Sequence, residues 1–157
     1  MGTPKIIFVR TADTIELARA LFVEYAASLG VPLCFQQFDR ELAALPGDYA
    51  PPAGQLLLAE CDSKIAGCVA LRQLEPGICE MKRLYVRPEF RGKKIGAALA
   101  RAIIAEARRI GYRAMRLDTL PAMKAARNLY DSLGFRPTSA YYHNPLEGVV
   151  YLELELK

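Results

Sequence analysis

Arg91, Gly92, Lys93, Lys94, Ile95 and Gly96, within RLYVRPEFRGKKIGAAL (83–99), combine the residue types that an anion-binding turn needs. A β-branched and aromatic run stops at Pro88, and an Ala/Leu/Ile helix begins just past the turn. The turn therefore falls at a helix N-terminus, which leaves about four backbone N–H groups without partners and carries roughly half a positive charge. Gly92 and Gly96 remove Cβ atoms where a ligand approaches the backbone, and Arg91, Lys93 and Lys94 add charge. The combination reads as a cradle for a pyrophosphate. Two other phosphate motifs are excluded on spacing, since the chain contains neither GxxxxGK[ST] nor GxGxxG.

What remains, VRPEFRGKKIGAAL (86–99), resembles the acyl-CoA pyrophosphate motif of the GNAT superfamily of N-acyltransferases. The family pattern (Q/R)-x-x-G-x-(G/A) is met by Arg91 and Gly96 with Gly92 between them, and Lys94 stands where the middle glycine is usual. A second segment, from Ala126 through Leu129, Tyr130, Leu133 and Gly134 to Phe135, resembles the A-x-x-L-Y-x-x-L-G-F signature of the same superfamily. The resemblance implies acetyl-CoA as co-substrate with no metal, and direct transfer without a cysteine nucleophile. It assigns Leu84, Tyr85 and Val86 to the acetyl carbonyl and pantetheine through their backbone, and Arg91 through Ala97, with Arg127, to the rest of CoA. Tyr130 then protonates, or hydrogen-bonds, the departing thiolate. Met123 occupies a position at which the family often carries Asn.

Acyl transfer from a thioester also needs a neutral amine and hence a base. Glu80, four residues before Leu84, stands where the histone-acetylating branch of the superfamily keeps its glutamate. It reads in two ways: as a base of raised pKa acting directly or through water, or as an ion-pair partner of Lys82 or Arg83 with no chemical part. His143 is the only histidine, and imidazole is the side chain suited to act as a base near neutral pH. By position, Tyr141, Tyr142, His143 and Asn144 are expected to line an amine pocket with Phe35, Gln36 and Tyr49.

These residues must be positioned by a scaffold, and the hydrophobic spacing supplies one. KIIFVR (5–10) reads as a strand, and Asp13 with Glu16 has the spacing of a capping box that opens a helix ending at Gly30. FDRELAAL (38–45) makes a short helix before a Pro/Gly-rich loop. Residues 55–61, 64–74 and 78–86 read as three antiparallel strands joined by tight turns. A helix over about 94–110, a strand over 113–119, a helix over 121–135 and two last strands complete the order. The strand–helix–strand unit around the cradle implies a parallel pair and a right-handed crossover. On the fourth strand, period two places Glu80, Lys82, Leu84 and Val86 on one face unless a bulge intervenes. The expected architecture is α/β, a GNAT fold with a mixed sheet of six to seven strands flanked by about four helices, over one domain, 1–157.

Composition sets the outer limits. The 157-residue length suits a single core without staples, and no apolar run approaches the roughly 18 residues of a membrane span. Four cysteines, with no CxxC pair and a single histidine, argue against zinc and for free, mostly buried thiols in a reduced, cytosolic protein. A net charge of +4 favours anionic ligands. The basic clusters lack the aromatic interleaving of stacking platforms, so nucleic acid is not expected as a partner. The expected function is N-acetyl transfer from acetyl-CoA to a primary amine of a small molecule or peptide, and the family resemblance also suggests a homodimer. The alternative is a module that binds acyl-CoA and senses it without catalysis.

Overall fold

The structure, a computed structural model, describes residues 3–29, 37–120, 123–142 and 148–156. Strands β1 (Lys5–Phe8), β2 (Gln55–Cys61), β3 (Lys64–Glu75), β4 (Ile78–Val86), β5 (Ala114–Thr119), β6 (Arg136–Thr138) and β7 (Val150–Glu155) form a single sheet in the order 1-2-3-4-5-7-6. Among the described residues only β4 and β5 run parallel, as the crossover through the cradle helix requires. The described helices are α1 (Ala12–Leu29), α2 (Phe38–Ala44), α3 (Ile95–Ile110) and α4 (Lys124–Ser132). The mixed α/β architecture expected from the sequence is present.

Each face of the sheet has its own core. On one, α3 lays Ile95, Leu99, Ala100, Ile103, Ile104 and Ala107 against Leu57, Val69, Leu71, Cys79, Met81 and Met115. On the other, Ala18, Leu21 and Phe22 of α1 and Phe38 of α2 pack with Leu56, Leu58, Cys68, Ala70 and Tyr85. Alternation along β2, β3 and β4 feeds both cores, with each fully buried aliphatic side chain contributing about 1.5–3 kcal/mol. Helix α1 starts one residue before the anticipated cap. Thr11 Oγ1 accepts from the Thr14 amide, and Thr14 Oγ1 accepts from the Thr11 amide, whereas Glu16 pairs with Arg19. A threonine pair thus does the work the sequence assigned to Asp13 and Glu16.

Two irregularities of β4 shape everything that follows. Its parallel pairing with β5 covers only Ile78–Glu80 against Ala114–Arg116, and the strands part beyond that point. Its pairing with β3 slips between Cys68↔Tyr85 and Ala70↔Lys82, so three steps along β4 match two along β3. Arg83 supplies the extra residue with a left-handed backbone, φ 62°. As a result Lys82 and Arg83 both lie on the α1/α2 side. Glu80 and Lys82 face α1 and α2, while Leu84 and Val86 pack toward α3. The unbroken alternation of the sequence reading is replaced by a change of phase.

The bulge also explains Gly67. A Cβ there would stand 2.4 Å from the Tyr85 carbonyl oxygen and 3.3 Å from Val86 Cα. Gly67→Ala should therefore cost at least about 1–3 kcal/mol through overpacking, measurable as a lowered midpoint in urea. A neutral result would mean that the two strands lie farther apart.

Candidate active site

Between β4 and α3 the chain makes a 3-10 turn at Pro88–Phe90, buries Phe90, and enters the helix through Gly92 (φ 81°) and Lys94 (φ 63°). Lys94 therefore takes the left-handed conformation that the motif's glycine would adopt freely, at a cost of about 1–2 kcal/mol. A Cβ at Gly92 would meet nothing within 4 Å, so its backbone angle rather than space calls for glycine. At Gly96 a Cβ would lie 3.7 Å from Val86 and 3.9 Å from Leu129, at the mouth between β4 and α4. No side chain caps α3, and its first turn holds no acidic residue. The first-turn N–H groups, Ile95 to Ala97, are thus available to an anion amid exposed Arg91, Lys93 and Lys94. Arg91 Nε donates to the Val86 carbonyl at 3.0 Å and braces the turn against the strand. Ile95 and Tyr85 turn their side chains into the two cores and can offer only backbone.

Beyond Glu80 the gap between β4 and β5 has α4 at its side. Tyr130 is buried there with its ring 5.6 Å from that of Phe135 in an edge contact. Burial, and then nearby Tyr25 and Asp118, raise its pKa, so the phenol keeps its proton and can donate it. Arg127, on the same helix, is exposed.

Glu80 is fully buried, close enough to Lys82 for its charge to act there, and hydrogen-bonded to two residues of other elements. Arg72 donates to its Oε1 at 2.8 Å, and the Tyr141 hydroxyl donates to its Oε2 at 2.7 Å. Tyr142 makes the parallel contact to Asp118 at 2.6 Å, and Tyr151 donates to the Tyr142 carbonyl at 3.1 Å. The three rings pack with centroids 5.3–5.7 Å apart. Burial outweighs the attraction of Glu80 at Lys82 and lowers its pKa. A cleft of about 490 Å³ opens on this side, lined among others by Arg40, Glu41, Tyr49, Arg72, Lys82 and Tyr142. Of the expected amine-pocket residues, Tyr49 and Tyr142 line it, and Tyr141 bonds to Glu80 instead. Phe35, Gln36, His143 and Asn144 lie outside the described residues.

Cys79 faces the α3 core, opposite Glu80, and donates weakly to the Ala114 carbonyl. Burial pushes its thiol up to about 12, so it is protonated and unsuited to nucleophilic attack. Among the described residues, no group of three His, Cys, Asp or Glu side chains could hold a metal, and no helix is long and apolar enough to cross a membrane.

Sequence reasoning missed Arg72, Asp118 and the pair Arg83–Glu41. Arg83 is 4% exposed and bidentate to Glu41, with distances of 2.8 and 2.9 Å, and its guanidinium lies 5.2 Å from the Phe38 ring centroid. The signal available was a charged residue within a strand, Arg72 after the apolar run 65–71 and Asp118 beside Leu117.

The donors present suit acyl-CoA: uncapped amides and three cations for its phosphates, a parted strand pair for its pantetheine, and a protonated phenol near the gap. The comparisons agree. The model of the Acetyltransferase (GNAT) family matches residues 17–135. An uncharacterized N-acetyltransferase of Schizosaccharomyces pombe is 45% identical over 150 residues, which cover 94% of this chain and 92% of that protein. N-acetylaspartate synthetase of Mus musculus is 38% identical over 100 residues, covering 63% of this chain but 33% of that protein. An acetyltransferase of Salmonella typhimurium solved with acetyl-CoA superposes with a TM-score of 0.75 at 20% identity, covering 99% of this chain and 95% of the other.

Proposed function

The chain belongs to the GNAT acetyltransferase family, and from that premise we propose that it transfers the acetyl group of acetyl-CoA directly to a primary amine of a small molecule or peptide, as one cytosolic domain spanning residues 1–157. The observation that carries this reading is the uncapped N-terminus of α3 beside strands that part at Glu80, with a neutral buried tyrosine alongside. When bound, acetyl-CoA supplies an activated thioester. The first-turn amides of α3, with Arg91, Lys93 and Lys94, hold its pyrophosphate. The backbone of Leu84–Val86, on an edge with no ladder to β5, orients the acyl carbonyl. Tyr130 keeps a proton at its hydroxyl for the leaving sulfur. Glu80, sealed from solvent, receives the proton lost by the ammonium group through Tyr141, whose hydroxyl gives one proton and takes another. The name N-acetylaspartate synthetase denotes an amino-acid product and supports a small-molecule acceptor over a peptide.

Thermal melting with acetyl-CoA, with NAD and ATP as controls, tests the co-substrate. At 100 times the dissociation constant, linkage gives about 2.7 kcal/mol, which raises Tm by roughly 5–11 °C in a chain of this size. No shift at millimolar acetyl-CoA removes the proposal. A shift without thiol release on any amine would favour the sensing module.

A further inference from the structure

The last rung between β4 and β5 pairs Glu80 with Arg116, and there each strand sets a carboxylate beside the opening. On β4 it is Glu80. On β5 it is Asp118, two residues beyond Arg116 and therefore on the same face. Consecutive tyrosines meet these acids: Tyr141 donates to Glu80 Oε2 at 2.7 Å, and Tyr142 donates to Asp118 Oδ2 at 2.6 Å. The proposed transfer employs the first pair and gives the second no part. Yet the second is firmly set. The Tyr142 ring packs on those of Tyr141 and Tyr151, with centroids 5.4 and 5.7 Å away, and Tyr151, opposite Asp118 on β7, donates to the Tyr142 carbonyl at 3.1 Å. Tyr142 also lines the cleft on the α1/α2 side.

A phenol has one proton to give and two lone pairs with which to accept, and an ionised carboxylate only accepts. The Tyr142 proton is committed to Asp118, so any further group that meets this oxygen must donate to it. Resting on the acetyltransferase reading, we propose that Tyr142 accepts a hydrogen bond from the amine nitrogen of the acceptor, and that Asp118 is the positioning residue that fixes the Tyr142 hydroxyl for this task. With one N–H held on Tyr142 Oη, the nitrogen lone pair turns away from that oxygen and toward the gap assigned to the acyl group. The two pairs thus divide the work: Tyr142 with Asp118 orients the nitrogen, and Tyr141 with Glu80 takes its proton. They lie close together. Burial, then Glu80, and after it Asp118 and Tyr142 raise the pKa of Tyr141. Holding a nucleophile in line matters, because a misplacement of about 1 Å costs about a hundredfold in rate.

The first test reads binding without turnover. Tyrosine is labelled at Cζ for NMR, and the Tyr142 resonance is identified by its loss in Tyr142→Phe. In protein saturated with CoA, this resonance should move on titration with at least one of glycinamide, ethanolamine, L-aspartate and putrescine, and Asp118→Asn should weaken that amine in the same titration. In thiol-release assays Tyr142→Phe, which keeps the packed ring, should lower kcat/KM for the amine roughly ten- to hundredfold, while the melting shift with acetyl-CoA persists. Asp118 also acts by charge on Lys82, so a double-mutant cycle isolates its route. Asp118→Asn should lower kcat/KM in the native background and add little in the Tyr142→Phe background, a coupling that a merely structural aspartate would not show. The proposal is overturned if no amine of the set moves the Tyr142 resonance, if Tyr142→Phe leaves kcat/KM unchanged, or if the two substitutions act independently. A resonance that moves and depends on Asp118, without thiol release on any amine, would uphold the site, and the transfer reading alone would then fall.

Discussion

Tyr130→Phe is expected to lower kcat by about 10²–10⁴-fold, the usual worth of a positioned general acid, with little change in the melting shift given by acetyl-CoA. The substitution removes one oxygen and keeps the ring that packs on Phe135, so the fold should survive it. Pre-steady-state thiol release should slow by the same factor as kcat, because the hydroxyl acts when the carbon–sulfur bond breaks. The pH profile adds a second reading. Burial holds the folded pKa of Tyr130 above its ordinary value of 10.0, so no alkaline loss of rate should arise from this residue up to that value. The sign for stability follows from the same shift. The unfolded phenol ionises near pH 10 while the folded one does not, so its contribution is complete below about pH 10 and is lost as pH rises further. Unaltered turnover in the phenylalanine variant would remove Tyr130 from the mechanism.

Arg83→Ala should produce the largest loss of stability of any substitution considered. The guanidinium is bidentate to Glu41, stacks toward Phe38 and Tyr25, and lies almost wholly out of water. Removing one member of a buried pair strands the other charge, typically at about 3–5 kcal/mol, which corresponds to roughly 6–20 °C in Tm. Replacing both partners by apolar residues of similar volume, Arg83→Met with Glu41→Leu, should recover much of the loss, since neither charge is then left unpaired. Denaturant midpoints for the two singles and the double supply the measurement. If the double is as unstable as the sum of the singles, the pair is not coupled and α2 is anchored by other means.

The order of strands and helices along the chain was legible because apolar spacing is a local signal. The alternation in 55–61 and 78–86 and the stripe through Ile95, Leu99 and Ile103 need no knowledge of distant residues. The cradle was legible for the same reason, since Arg91 to Gly96 are contiguous. What escaped depended on register. Arg72 meets Glu80 because the β3 and β4 ladder sets them opposite each other, and Arg83 reaches Glu41 across 42 positions of sequence. Neither pairing has a signature along the chain. The phase change escaped because arginine carries no mark of a left-handed backbone, as glycine would. At the start of α1, Asp13 with Glu16 and Thr11 with Thr14 offered competing caps one or two residues apart, and propensity alone did not choose between them.

The extra residue in β4 gives the strand two independent halves. Upstream of position 83 the even-numbered side chains Glu80 and Lys82 face the α1/α2 side, and downstream Leu84 and Val86 face the α3 side. Flattening the bulge with Arg83 kept in the ladder would turn Leu84 and Val86 to the α1/α2 face. Substituting Glu80 or Lys82 changes one compartment and leaves the other as it was. On the proposed transfer function, the side chains that face the α1/α2 cleft can be varied while the α3 side of the strand stays intact, so a search for a new acceptor begins at Lys82 before anything past the bulge is disturbed.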